Sequence, residues 1–356
     1  MIRKIKIGWI GAGFVGQVAH LENFSKFEDV EITSLAEIRP TLLKDVGRSY
    51  NIPNLYPNHT ELLKSDGFDA IVAIVNRRHT YNIAKDVLEA GYHLLTEKPI
   101  AQNSKDASEL VSIAEQKSLI YSISFMKRYD LGIRKAKEIL ESDHYKAKLG
   151  KVISIRVSIE AGNDYCNILQ RIESNEPKPQ TSQDRIAPDW IIGPQRKQYE
   201  DFVNVASHQI NLLTFLFNKT PEVKYVDFRP NSMSYAFLDY DEFPAVFEWG
   251  LFLSDSNGQK ETVEIRFENG EMSINMPPGF LRNVPAEVIL RIDEKGKAAG
   301  MNETKIKSDY MWSFQKSGRA FIDAILSKGK SDHSADAVVN DFKIIDDIWR
   351  EICRQK

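Results

Sequence analysis

The pattern Gly11-x-Gly13-x-x-Gly16 directly follows the apolar run KIKIGWI and opens a segment with helical spacing. No other feature restricts the chain as much. Glycines at this spacing permit a tight turn and close backbone approach, so that the first helical amides can meet a pyrophosphate. On its own the pattern also describes an ordinary glycine-rich turn between strand and helix. Glu37 narrows the reading. It closes the second apolar run, VEITSLAE, 21 residues after Gly16, where a carboxylate accepts hydrogen bonds from an adenosine ribose. A dinucleotide is the expected ligand.

From Lys4 to about Phe125 short apolar runs (KIKIGWI, VEITSLAE, DAIVAIV, YHLLTE, LIYSISF) alternate with amphipathic segments. Strands too apolar to have a wet face, separated by helices, predict βαβ units and a parallel sheet covered on both sides. One linking helix is expected near Thr80 to Ala90, stopped by Gly91. After a helix around Leu131 to Leu140 the pattern changes to longer alternating runs such as KVISIRVSIE, SMSYAFLDY, AVFEWGLFL and TVEIRFENGEMSINM. These predict an antiparallel sheet, with Asn269-Gly270 marking a hairpin. Between them, Ala161 to Pro194 reads as a long polar loop holding Pro177, Pro179, Pro188 and Pro194. Val338, Phe342, Ile345, Trp349 and Ile352 form the apolar stripe of a C-terminal helix.

A chain of 356 residues suggests about two domains. The formal charge of -3 supplies no basic excess for nucleic acid. The two cysteines, Cys166 and Cys353, are far apart, which argues against a disulfide framework and against a structural metal site, and fits a reducing cytoplasm. The start, MIRKIK, has the outline of a secretory signal, but Gly8, Gly11, Gly13 and Gly16 weaken such a helix. No run reaches the roughly 18 apolar residues of a membrane span, so a soluble protein is expected.

Two further stretches point to chemistry. Thr96-Glu97-Lys98-Pro99 ends an apolar strand of the parallel sheet, the edge outside which ligands of such sheets bind. A lysine there can aim its ammonium into the crevice, where burial lowers its pKa and lets it polarise or deprotonate an oxygen; the alternative is an exposed loop lysine. The segment FVNVASHQINLLTFLFN places Asn204, His208 and Asn211 on one helical stripe, joined by Ser207 and Asn218. Its 17 residues hold no charged side chain, where the chain's 27% would give four to five. An uncharged polar stripe suits a cavity wall better than a solvated face. His208 is then a candidate acid or base, or else a structural histidine with satisfied nitrogens.

Together GAGFVG at 11 to 16, AE at 36 and 37, EAGYHLLTEKP at 89 to 99, RYD at 128 to 130 and the NVASHQIN helix resemble the glucose-fructose oxidoreductase, inositol dehydrogenase and rhizopine-catabolism (Gfo/Idh/MocA) family. The resemblance implies an α/β chain in three parts: a Rossmann domain over 1–126, an α/β domain with a large open, mainly antiparallel sheet over 127–330, and a C-terminal helix over 331–356 that returns to the N-terminal domain. It further implies NAD as cofactor, with NADP as the alternative, and homodimers or homotetramers formed through the open sheet. Lys98 and His208 match the catalytic pair. The expected cofactor contacts are Gly11, Gly13, Phe14, Val15, Gly16, Glu37, Arg39, Val75, Asn76, His79, Glu97, Lys98 and Lys127. A carbohydrate or cyclitol would meet Lys98, Asn204, His208 and Asn211, with Trp190 stacking on a sugar ring. Two departures stand out. Asn204 and Asn211 replace frequent aspartates, and an amide positions a hydroxyl without relaying its proton. The loop Val75-Asn76-Arg77-Arg78-His79-Thr80 lacks the usual Thr-Pro-Asn and later histidine. The expected activity is hydride transfer at a secondary alcohol or ketone; a sugar-nucleotide ketoreductase and a non-catalytic dinucleotide sensor are the rivals.

Overall fold

Each apolar run of the first 125 residues forms a buried strand, because an all-apolar stretch has no face to give to water. In the computed structural model, which describes residues 3–162, 170–177, 186–251, 259–293, 300–329 and 334–355, the chain gathers into two units. The first draws on Met1–Phe125, Ile168–Glu200 and Phe314–Val339, and the second on Met126–Asn167, Asp201–Ser313 and Asn340–Lys356. Both are discontinuous in sequence, unlike the contiguous ranges expected.

The first unit holds strands β1 (Ile5–Ile10), β2 (Val30–Ala36), β3 (Asn54–Tyr56), β4 (Ala70–Ala73), β5 (His93–Glu97) and β6 (Tyr121–Ser124), all parallel, in the order β3-β2-β1-β4-β5-β6. Strand order reverses between β1 and β4, which opens a crevice at their carboxyl ends. Strand β3 gives no apolar signal, since its three residues form a largely exposed edge. The helix Thr80–Glu89 ends before Gly91, whose φ is +90°. Trp9, Leu35, Val72 and Leu95 form a core that Phe24, Phe321 and Ile322 complete. The helix that closes this core is therefore Ser313–Ser327 rather than the terminal one.

In the second unit the described strands are β7 (Val152–Ala161), β8 (Glu222–Asp227), β9 (Ser234–Asp239), β10 (Pro244–Leu251), β11 (Lys260–Phe267), β12 (Gly270–Met276), β13 (Glu287–Asp293) and β14 (Met301–Ile306). Their order is β14-β13-β12-β11-β7-β10-β9-β8, antiparallel except that β7 and β10 run parallel. One face buries Ile155, Val157, Ile159, Phe247, Val263 and Ile274. The other carries ion pairs, among them Arg156 with Glu248 and Arg291 with Glu271 and Glu303. The terminal helix Ala335–Arg354 sets Trp349 5.8 Å from Phe202 and 5.4 Å from Phe228 between ring centroids. That packing places most of it in the second unit, which corrects the expected return of 331–356 to the N-terminal domain.

The hairpin falls where expected but one residue early: Phe267 pairs with Gly270, leaving Glu268 and Asn269 as its turn. Gly270 answers to the neighbouring strand, since a Cβ there would lie 2.2 Å from the Arg291 carbonyl oxygen. Residues 163–169 and 178–185 of the long polar loop, with Cys166, lie outside the described residues. Among the described residues no helix is long and apolar enough to cross a membrane.

Candidate active site

In the first unit the turn after β1 is shaped by its glycines. Gly11 has φ +89°, and a Cβ on it would sit 2.3 Å from the Ile74 carbonyl oxygen. A Cβ on Gly13 would meet no atom within 4 Å, so this side of the turn is open to an incoming ligand. Phe14 and Val15, both half-buried, begin the helix whose stretch Gly16–Leu21 is π-wound. Glu37 follows β2, is 5% exposed, and its Oε2 accepts from the Ala12 amide at 2.8 Å. The same carboxylate accepts from Arg39 Nε at 2.8 Å and Nη2 at 3.1 Å. Open space at Gly13, the start of a helix and a carboxylate beside them fit an adenosine diphosphate moiety.

At the carboxyl end of β5, Glu97 and Lys98 meet groups that sequence spacing does not reveal. Glu97 Oε2 accepts from the Lys98 amide at 3.1 Å, and its Oε1 lies 2.8 Å from Nε2 of the buried His20. Burial lowers the Lys98 pKa to about 8; the Glu97 charge opposes this and the Arg77 guanidinium adds to it. Val75 and His79 are half-buried, and exposed Asn76 accepts from the Arg78 amide at 3.1 Å. Arg77 and Arg78, the departures in this loop, converge on Glu200, which is 1% exposed and 2.8 Å from Arg78 Nε. Burial alone would raise the Glu200 pKa, but the Arg78 hydrogen bonds and the Arg77 charge bring it below the usual value. Trp190 is half-buried in the same unit. His20 and Glu200 escaped sequence reading because their partners lie 77 and 122 residues away. The only available signal was the Arg77-Arg78 departure itself.

The second unit carries the helical stripe. Asn204 and His208, four residues apart on the helix Gln195–Phe217, are both half-buried and share one face. Ser207 is fully buried, and Asn218 is exposed at the helix end, where it accepts from Lys137 at 3.0 Å. Asn211 does not continue an open wall. It is 2% exposed, its Oδ1 accepts from Arg128 Nε at 2.8 Å, and its Nδ2 donates to Asp341 Oδ2 at 2.6 Å. Thr214 donates to the other Asp341 oxygen at 2.6 Å. Burial pushes the Asp341 carboxyl up to about 6, although Arg128, Thr214 and Asn211 pull the other way. The expected cofactor contact Lys127 is likewise buried in this unit, where its ammonium pairs with Glu261, which also accepts from Gln209. Hydrogen bonds hold Asn211, and an opposite charge holds Lys127, in buried structural networks. Among the described residues no group of three or more His, Cys, Asp or Glu side chains is placed to hold a metal ion.

A Rossmann crevice with a half-buried lysine at its edge, together with a large open mixed sheet, defines a two-unit dinucleotide-binding protein. Residues 5–125 match the model of the Gfo/Idh/MocA oxidoreductase family, described as an NAD-binding Rossmann fold. A myo-inositol 2-dehydrogenase of Thermotoga maritima is 23% identical over 154 residues, 43% of this chain and 45% of that protein. The chain spans less than half the length of the first curated relatives it matches. The fold extends further. A putative NADPH-dependent oxidoreductase from Desulfitobacterium hafniense superposes with TM-score 0.79 at 14% identity, covering 100% of this chain and 97% of that one. A 3-ketoreductase from Actinomadura kijaniata, crystallised with NADP and TDP-benzene, gives 0.75 at 17% identity with 98% of each chain covered.

Proposed function

We propose that the protein is a nicotinamide-dependent oxidoreductase acting on a secondary alcohol or ketone carbon of a sugar, a cyclitol or a sugar derivative. The observation that carries this reading is Lys98, at the carboxyl end of a parallel strand, with burial bringing its ammonium to about 8. An ammonium tuned that near neutrality can exchange a proton with a hydroxyl in either direction. The bound dinucleotide supplies hydride exchange at the nicotinamide C4. Of Lys98 and His208, one hydrogen-bonds the reacting oxygen and the other exchanges its proton. Asn204 orients a substrate hydroxyl, and Trp190 stacks on the ring. Glu37 favours NAD(H), because a 2′-phosphate would bring like charge close to its carboxylate. Val75, Asn76, His79 and Glu97 line the nicotinamide half. We assign the first unit chiefly to the cofactor and the second to substrate and self-association, with two or four copies joined through the outer face of the eight-stranded sheet in the cytoplasm. The test is turnover with NAD(H) and NADP(H) against free sugars, cyclitols and nucleotide-linked sugars. Expected is activity on one class. Tight dinucleotide binding with no turnover on any member would replace the enzyme by a sensor.

A further inference from the structure

Segment 170–177 is fastened to the first unit beside the glycine turn. Gln17, 4% exposed, donates from Nε2 to the Ile172 carbonyl oxygen at 2.9 Å and accepts the Ile172 amide at 2.9 Å. The Arg171 guanidinium stands 5.0 Å from the centroid of the Phe14 ring. Glu176 then reaches the start of the helix Pro40–Ser49, where its carboxylate accepts from the Thr41 amide at 3.0 Å and the Leu42 amide at 3.2 Å. Ser174 donates to it at 2.6 Å.

This corner lies just past Glu37, the carboxylate that would hold the adenosine ribose. A phosphate esterified to the ribose 2′-oxygen finds its usual partners here: a nearby arginine and the first amides of the following helix. In this chain each of those donors already serves a carboxylate. Arg39 gives two side-chain N–H groups to Glu37, and Thr41 and Leu42 give their amides to Glu176. We propose that Glu176 is a specificity-determining residue that, together with Glu37, excludes a 2′-phosphorylated dinucleotide. A phosphate entering this corner would have to displace one carboxylate and approach the other, and like charges at short range are unfavourable. The Ser174 hydroxyl and the Thr41 amide hold the Glu176 carboxyl down at about 2, so it stays charged throughout the neutral range.

The inference rests on the nicotinamide reading above, and its test separates the two. Full-length wild type, Glu176→Gln and Glu176→Ala are titrated with NAD+ and with NADP+ by calorimetry. Both variants are expected to bind NADP+ about tenfold more tightly, and the gain should shrink as added salt screens the charge. NAD+ affinity should move by less than about threefold, since Glu176 faces a group that NAD+ lacks. An unchanged ratio of the two affinities in both variants overturns the assignment and leaves the nicotinamide reading intact. A parallel loss of both affinities also overturns it, because Glu176 would then only prop the segment. Wild type that binds neither dinucleotide overturns the nicotinamide reading itself.

Discussion

Lys98 has its ordinary ammonium pKa brought down to about 8, inside the usual assay range. Alcohol oxidation needs a neutral acceptor for the hydroxyl proton, so kcat/KM in that direction should rise with pH and level off above about 8; ketone reduction needs the charged donor and should fall there. Lys98→Met should lose this inflection and about a hundredfold or more in kcat, with dinucleotide affinity kept within a few fold. His208→Ala should match that loss, and near-normal turnover in either variant would remove the residue from the mechanism. The two asparagines should separate. If Asn204 orients a substrate hydroxyl as proposed, Asn204→Leu should cost about 1 to 3 kcal/mol in kcat/KM while hardly moving the melting temperature. Asn211→Leu strands Arg128 and Asp341 without their shared amide, so its cost should appear as lost stability measured by denaturation. Spacing singled out both residues equally. What divides them is the angle each takes around one helix relative to neighbours far along the chain, and a linear pattern does not contain that angle.

The terminal helix and the strand pairs add their own tests. Asp341 is raised from 3.8 to about 6 in the fold, so between those values the native state binds more protons than the unfolded chain. Its contribution to stability is therefore fullest below about 4 and is lost as pH rises through about 6. Urea unfolding should show Asp341→Asn gaining about 2 kcal/mol relative to wild type on going from pH 4 to pH 7. A constant difference across that range would show that Asp341 is not the titrating group. Gly270→Ala would drive a Cβ against the Arg291 carbonyl oxygen and part β12 from β13, at a cost of roughly 1 to 3 kcal/mol. The buried strands were legible because an apolar run has few alternatives to burial. Strand β3 was not, being short and exposed, and the parallel pairing of β7 with β10 was hidden because alternation shows which face is apolar without naming the partner.

At the scale of the molecule, the discontinuous units imply that a fragment ending at residue 126 lacks Phe321 and Ile322, which complete the core around Trp9 and Leu35. Such a fragment should bind an apolar dye and melt with low cooperativity, whereas one joined to 314–329 by a flexible linker should recover a sharp transition. A cooperative fragment of 1–126 would show that those side chains are dispensable. The amino-acid sequence by itself determined the alternation of parallel strands and helices, the glycine turn with Glu37 in register, the lysine at the end of β5 and the later antiparallel sheet. These are local properties, because period, glycine spacing and strand-end position are all fixed within about thirty residues. Only the tertiary structure decided that Ser313–Ser327 closes the first core, that Asn211 and Lys127 lie in buried networks, that His20 meets Glu97, and that Glu176 holds the amides of Thr41 and Leu42. Each joins residues tens to hundreds of positions apart, and whether such a charge or amide is satisfied at a turn or inside a core depends on which distant partner the fold brings to it.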